Sequence, residues 1–165
     1  MDRQVRIIGA PMDFGANRRG VDMGPSAIRY AGLSETLEAT GVRCVDGGDL
    51  NIPRPEERDP DTNPPRVGKA KFLREVAAVC SQLEADVAET ISGGSVPLVL
   101  GGDHSVSMGS MAGASQSADI GVIWFDAHAD INTPETSPSG NVHGMPLAGA
   151  LGRGLFGEMA WAIGL

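Results

Sequence analysis

Residues 5–9 (VRIIG), 96–100 (VPLVL) and 121–125 (GVIWF) are apolar at nearly every consecutive position and are bounded by glycines, prolines or polar clusters. A strand with one wet face alternates apolar and polar side chains, so unbroken runs of this length predict strands covered on both faces. Such strands belong to parallel sheets, whose neighbours are joined by crossover helices. Helix signals fall where crossovers are needed. Pro25 occupies a first helical position, with Ala27, Ile28 and Ala31 following at helical spacing up to Gly32, and Ser34 suits the N-cap of a second short helix ending at Gly41. Within residues 67–91, Leu73, Val76, Cys80, Leu83, Val87 and Ile91 recur every three or four positions, predicting one long helix stopped by Gly93 and Gly94. Residues 42–45 form a further strand candidate, and residues 47–65 a polar, proline-rich loop. A Ser, Met and Ala stretch between the second and third apolar runs is long enough for another helix. The expected fold class is α/β, three-layered, as a single domain over residues 1–165.

Composition narrows the classes of function. Hydrophobic residues make up 41% and charged residues 21%, which fits neither a disordered chain nor a membrane protein. The start, MDRQVRIIGAP, is apolar for too few positions to be a secretory signal, so a cytoplasmic location is expected. A formal net charge of −8 opposes association with nucleic acid or anionic lipid and mildly favours cationic ligands. Cys44 and Cys80 have neither CxxC spacing nor a neighbouring histidine, and are expected to be buried free thiols.

The chemistry concentrates behind the apolar runs. The three histidines all lie between positions 104 and 143. His104 stands in GGDHS directly after residues 96–100, and His128 in DAHADIN directly after residues 121–125. Open α/β sheets bind ligands at the C-terminal ends of their strands, where both clusters fall. If DAHADIN stays extended, Asp126, His128 and Asp130 point to one face and the small Ala127 and Ala129 to the other. Three ionisable groups on one face require a cation or other partners, and mixed carboxylate and imidazole donors suit Mn, Zn or Fe rather than Ca. GGDHS taken alone also fits a turn with His104 bonded to the backbone. SPSGNVHG, residues 137–144, offers Ser139, Asn141 and His143; alone it also fits a solvated turn that N-caps a helix over residues 145–151, with Pro146 near its first position.

In this order, GAPMDFGANRRGVDMGPSAIRYAGL, GGDHS, DAHADIN and SPSGNVHGMPLA resemble the successive signatures of the ureohydrolase family, most of all bacterial arginases. The resemblance runs from about Val5 to about Leu151. It implies a three-layer α/β/α sandwich with a mostly parallel sheet and two Mn(II) ions at the strand ends. By the same resemblance His104 and Asp130 bind the first ion, His128 the second, and Asp126 bridges both. The implied reaction is hydrolysis of L-arginine to L-ornithine and urea by a metal-bridging hydroxide, with Asp130 carrying a proton to the leaving amine and His143 shuttling protons or touching substrate. Asn132, Ser139 and Asn141 match the positions that hold the substrate α-carboxylate, a group that agmatine lacks.

A full member of the family continues with a strand ending in S-x-D-x-D-x-x-D-P, which supplies further carboxylates to the metals. Nothing like it occurs in these 165 residues. The chain is therefore read as the N-terminal portion of such a domain, with an uncovered sheet edge, a second metal short of ligands and weak catalysis by itself. The full-length form is expected to be a homo-oligomer. Two alternatives stay open: agmatinase or another ureohydrolase, and a non-catalytic fragment that binds metal.

Overall fold

The computed structural model describes residues 4–54 and 66–153. Most of the expected proline-rich loop and the apolar end of the chain lie outside the described residues. The elements run β1 (Gln4–Ala10), α1 (Gly24–Tyr30), α2 (Leu33–Ala39), β2 (Arg43–Asp49), β3 (Arg66–Val67), β4 (Ala70–Lys71), α3 (Leu73–Ser92), β5 (Val96–Gly101), α4 (Val106–Ser115) and α5 (Pro146–Ala150).

The main sheet has the order β2-β1-β5, with both pairings parallel. β1 is central, and its apolar run is buried as expected: Ile7, Ile8 and Ala10 are at most 2% exposed. Successive strand residues face opposite ways, so burial of adjacent Ile7 and Ile8 means that both faces of β1 are covered. Ile8 and Ala10 join the core formed with α3 and α4, whereas Ile7 is buried outside that cluster. Residues Leu73, Val76, Cys80, Leu83 and Val87 of α3 are buried in one stripe, as their spacing predicts, and Ile91 packs against it half-buried.

Several expectations are corrected. The strand foreseen at 42–45 extends to Asp49, because β1 supplies partners that far: Ile7 pairs with Asp46 and, after an irregularity, Gly9 with Asp49. Arg29 of α1 clamps this end, its Nε and Nη2 donating to the two carboxylate oxygens of Asp46 at 2.7 and 3.0 Å and its Nη1 to Asp49. The long helix begins at Leu73 rather than Val67. Residues 66–71 instead fold into the β3–β4 hairpin around Gly68 (φ 59°), and Phe72 takes a left-handed φ of 53° that breaks the helix before it starts. α2 is entered through left-handed Gly32 instead of a Ser34 cap. Cys80 is buried, and burial pushes its thiol up to about 12, but Cys44 is only half-buried.

The largest correction concerns residues 121–125, which are not a strand. Ile123 is 83% and Phe125 94% exposed. A continuous apolar run becomes a buried strand only when other strands pair with it, and among the described residues none does. β5 likewise has its second edge unpaired among the described residues, leaving Val96 47% exposed.

α4 packs closely on α3 through glycines. A Cβ at Gly109 would lie 2.5 Å from the Cys80 carbonyl oxygen, and one at Gly113 would lie 2.5 Å from that of Glu84 and 2.7 Å from Val87 Cβ. Backbone and helix-anchored atoms cannot yield cheaply. Gly113→Val is therefore expected to destabilise the fold by about 1–3 kcal/mol or more, despite the poor helix propensity of glycine. The denaturation midpoint in urea checks this, and an unchanged midpoint would mean that the two helices separate without cost.

Candidate metal centre

His104 stands in the turn after β5, between the sheet and α4. Backbone bonds fix that turn, Gly102 N–H donating to Ala10 O at 3.1 Å and Asp103 N–H to Met12 O at 2.7 Å. A Cβ on Gly102 would meet the Met12 carbonyl oxygen at 1.9 Å, so only glycine permits this approach. The imidazole of His104 stacks on the indole of Trp124, ring centroids 4.6 Å apart and planes 27° from parallel. The apolar run at 121–125 thus contributes to the site even though it is not a strand.

Two carboxylates converge on this imidazole. His104 Nδ1 lies 2.9 Å from Asp126 Oδ2 and 2.8 Å from Asp130 Oδ2. One ligand atom from each of the three residues falls within 4.8 Å of the others. The backbone N–H of His128, then the imidazoles of His104 and His128, hold the Asp126 carboxyl below the usual carboxylate range, so it stays ionised at neutral pH. A single imidazole N–H cannot satisfy two carboxylates, whereas a divalent cation would take all three donors. The donor set fits a transition metal such as Mn(II).

The extended DxHxD expected from alternation is not what forms. Asp126 closes a local turn, its Oδ1 accepting the His128 N–H at 2.8 Å, and Asp130 takes a left-handed φ of 46°. Alternation holds only while a segment stays extended, and among the described residues no partner strand competes with the side-chain-to-backbone bond. Asp126 and Asp130 still meet, but His128 turns outward with 81% of its side chain exposed. Its Nδ1 is 3.3 Å from Asp126 Oδ1, on the side of that carboxylate away from His104, and outside the group of three.

The loop at 137–144 is built rather than merely solvated. Ser137 Oγ accepts the Gly140 N–H at 3.0 Å, and Ser139 Oγ accepts the Asn141 N–H at 3.1 Å. Asn141 accepts from Lys71 Nζ at 3.1 Å through Oδ1 and donates through Nδ2 to Ala16 O at 3.1 Å. The ammonium dictates which way that amide faces, leaving one N–H for a ligand. His143 is exposed in a short 3₁₀ turn, Val142–Gly144, and its backbone N–H donates to Gly15 O at 3.2 Å. Asn132 is exposed, tied by its N–H to Gly144 O at 3.2 Å, with its Oδ1 accepting from Thr136. The N-capping alternative does not hold: Met145 precedes α5 and no side chain caps it, although Pro146 is in the first turn as expected.

Sequence reading left four contributors without a role. Lys71 fell inside the helix wrongly extended to Val67, so nothing marked it. Trp124 read only as strand core. Asp13 and Arg19, in the glycine-rich loop after β1, form an ion pair that pins this loop, Arg19 also reaching Asp22 at 3.3 Å. Burial raises the Asp13 carboxyl from its ordinary value, and Arg19 opposes this.

The family model described as Arginase family matches residues 3–165. The chain is 48% identical to the arginase of Bacillus caldovelox over 153 residues, covering 92% of this chain and 50% of that protein. It is 50% identical to the arginase of Bacillus subtilis over 155 residues, covering 93% of this chain and 50% of that protein. The crystal structure of the Bacillus caldovelox arginase superposes with a TM-score of 0.83 at 48% identity, over 91% of this chain and 49% of that one. The chain spans about half the length of the curated relatives it matches.

Proposed function

We propose, from the premise that this chain belongs to the arginase family, that its site is one part of a two-manganese centre for hydrolysing L-arginine to L-ornithine and urea. The observation that carries the reading is the convergence of His104, Asp126 and Asp130 at the C-terminal side of a parallel sheet. These three would hold one ion, and Asp126 with His128 would offer two ligands to a second. Manganese bound there would supply the Lewis acidity that makes water nucleophilic near neutral pH. Asp130, whose side chain is only 10% exposed, would hold a proton for the leaving amine, and exposed His143 would exchange one with solvent.

Asn132, Ser139 and Asn141 would grip the α-carboxylate of arginine. Each hydrogen bond to a charged group contributes about 1.5–3 kcal/mol. Agmatine has no such carboxylate. The loop therefore favours arginase over agmatinase, as do the names of the relatives. In line with a small cationic amino acid as ligand, the chain carries a formal net charge of −8. Among the described residues no helix is long and apolar enough to cross a membrane. A cytoplasmic enzyme that is homo-oligomeric at full length completes the proposal.

Substrate choice tests the reading. In an active assembly containing this chain, Ser139→Ala and Asn141→Ala are each expected to lower kcat/KM for arginine by roughly tenfold or more while changing that for agmatine less than about twofold. Equal losses for both substrates would remove the carboxylate grip from the proposal.

A further inference from the structure

Asp103 makes no hydrogen bond to the 137–144 loop, yet it is built as a junction between that loop and the turn that bears His104. Its side chain is buried, the residue 5% exposed. Oδ2 accepts the Gly15 N–H at 2.8 Å and the Ala16 N–H at 3.3 Å, and Oδ1 accepts the Ser105 N–H at 2.9 Å. The same short stretch of the loop after β1 uses its carbonyls in the other direction. Gly15 O accepts the His143 N–H at 3.2 Å, and Ala16 O accepts Asn141 Nδ2 at 3.1 Å. One carboxylate thus grips the peptide N–H groups, and the peptide carbonyls grip the 141–143 loop. His104, next along the chain from Asp103, is tied to this arrangement through the Ser105 N–H.

Close packing leaves this link little slack. A Cβ at Gly15 would lie 2.0 Å from Ser105 Oγ and 2.6 Å from Asp103 Oδ1, so the loop rests directly on the turn that bears His104. Phe14, 1% exposed, anchors the loop from below, its ring centroid 5.4 Å from that of Phe72. Peptide groups are planar and stiff, so the Gly15 and Ala16 units transmit a displacement at one side to the other.

We propose that Asp103 is a positioning residue that couples the His104 turn to the Asn141–His143 loop through the Gly15 and Ala16 peptides. Its importance for arginine hydrolysis rests on the function proposed above, but the coupling itself does not. Asn in place of Asp keeps the shape and offers one acceptor oxygen where two are needed, so an NH₂ group must face a peptide N–H on one side.

Amide hydrogen exchange on the 165-residue chain, without metal, reads the coupling directly. Asp103→Asn is expected to speed exchange at the His143 amide about tenfold, while Leu83 in α3 changes less than twofold. Asn141→Ala reads the same link from its exposed end, and is expected to speed exchange at Gly15 and Ala16. If Asp103→Asn does not fold, this second variant decides. An unchanged His143 amide in a folded Asp103→Asn chain, or unchanged Gly15 and Ala16 amides in Asn141→Ala, overturns the proposal. So does uniform acceleration that includes Leu83, since it reports a loss of global stability only. Mn(II) added to the unaltered chain should slow exchange at His143, and this slowing should vanish in Asp103→Asn. Slowing that persists in the variant also overturns the coupling. A chain that does not bind Mn(II), with the metal-free result as expected, would instead sink the proposed metal centre and leave Asp103 in its role.

Discussion

Mixed with a polypeptide carrying the C-terminal half of Bacillus subtilis arginase, the purified chain is expected to release urea from L-arginine at least about a thousandfold faster than it does alone. Two features of the structure lead to this result. First, among the described residues only three donors converge, and His128 stands outside them with 81% of its side chain in solvent. A second ion held by Asp126 and His128 alone would have too few protein ligands to stay. Metal binding makes a bound water far more acidic than bulk water, so an incomplete centre sacrifices most of the nucleophile available at neutral pH. Second, the second edge of β5 is open among the described residues, and Ile123 and Phe125 are bare. Strands from a relative's other half would cover both, and the newly buried apolar area would drive the two pieces together. Urea production by each piece and by the mixture is the measurement. High activity from the chain alone would show that the three-donor group suffices and that the two-ion mechanism is wrong for it.

Asp126→Asn is expected to weaken Mn(II) binding by the isolated chain about a hundredfold or more in titration calorimetry. Loss of a mere supporting partner to a ligand already costs about 10–100-fold in affinity, and Asp126 would be a ligand itself. Its carboxylate faces His104 Nδ1 at 2.9 Å on one oxygen and His128 at 3.3 Å on the other, so no neighbour can replace it. The substitution keeps the shape of the side chain and an oxygen able to accept the His128 N–H, so helix content should hold. His128→Ala makes the contrast. Because the histidine is turned away from the group of three, its loss is expected to change affinity in the isolated chain less than about twofold. If His128→Ala matched Asp126→Asn, the outward orientation would be wrong in solution. If neither mattered, the centre would not be where His104 places it.

The element types were readable wherever burial is patterned within a single segment. Continuous apolar residues in β1 and the three-or-four spacing along α3 each report which surfaces must leave water, and the structure buries Ile7, Ile8 and the α3 stripe accordingly. The clustering of histidine and aspartate behind apolar runs located His104, Asp126 and Asp130 for the same local reason. Family motifs then implied roles that spacing could not supply. Boundaries were less legible. Helical spacing ran on past Phe72 toward Val67, because periodicity does not register a left-handed φ or the hairpin that Gly68 allows.

What stands opposite a segment was not readable at all, and tertiary structure decided it. Residues 121–125 have the composition of a buried strand, but strand formation needs a backbone partner, and none is paired with them among the described residues. That absence let Asp126 fold back on the His128 N–H and turn His128 away, while Asp130 kept its place beside His104. Lys71 came to set the Asn141 amide, and Asp103 to hold the Gly15 loop, across separations of 70 and 88 residues. Side-chain pattern is a property of neighbours along the chain, so the sequence determined which surfaces are apolar and which residues carry donors. Pairing and convergence depend on groups brought together from far along the chain, and only the folded backbone fixes their distances.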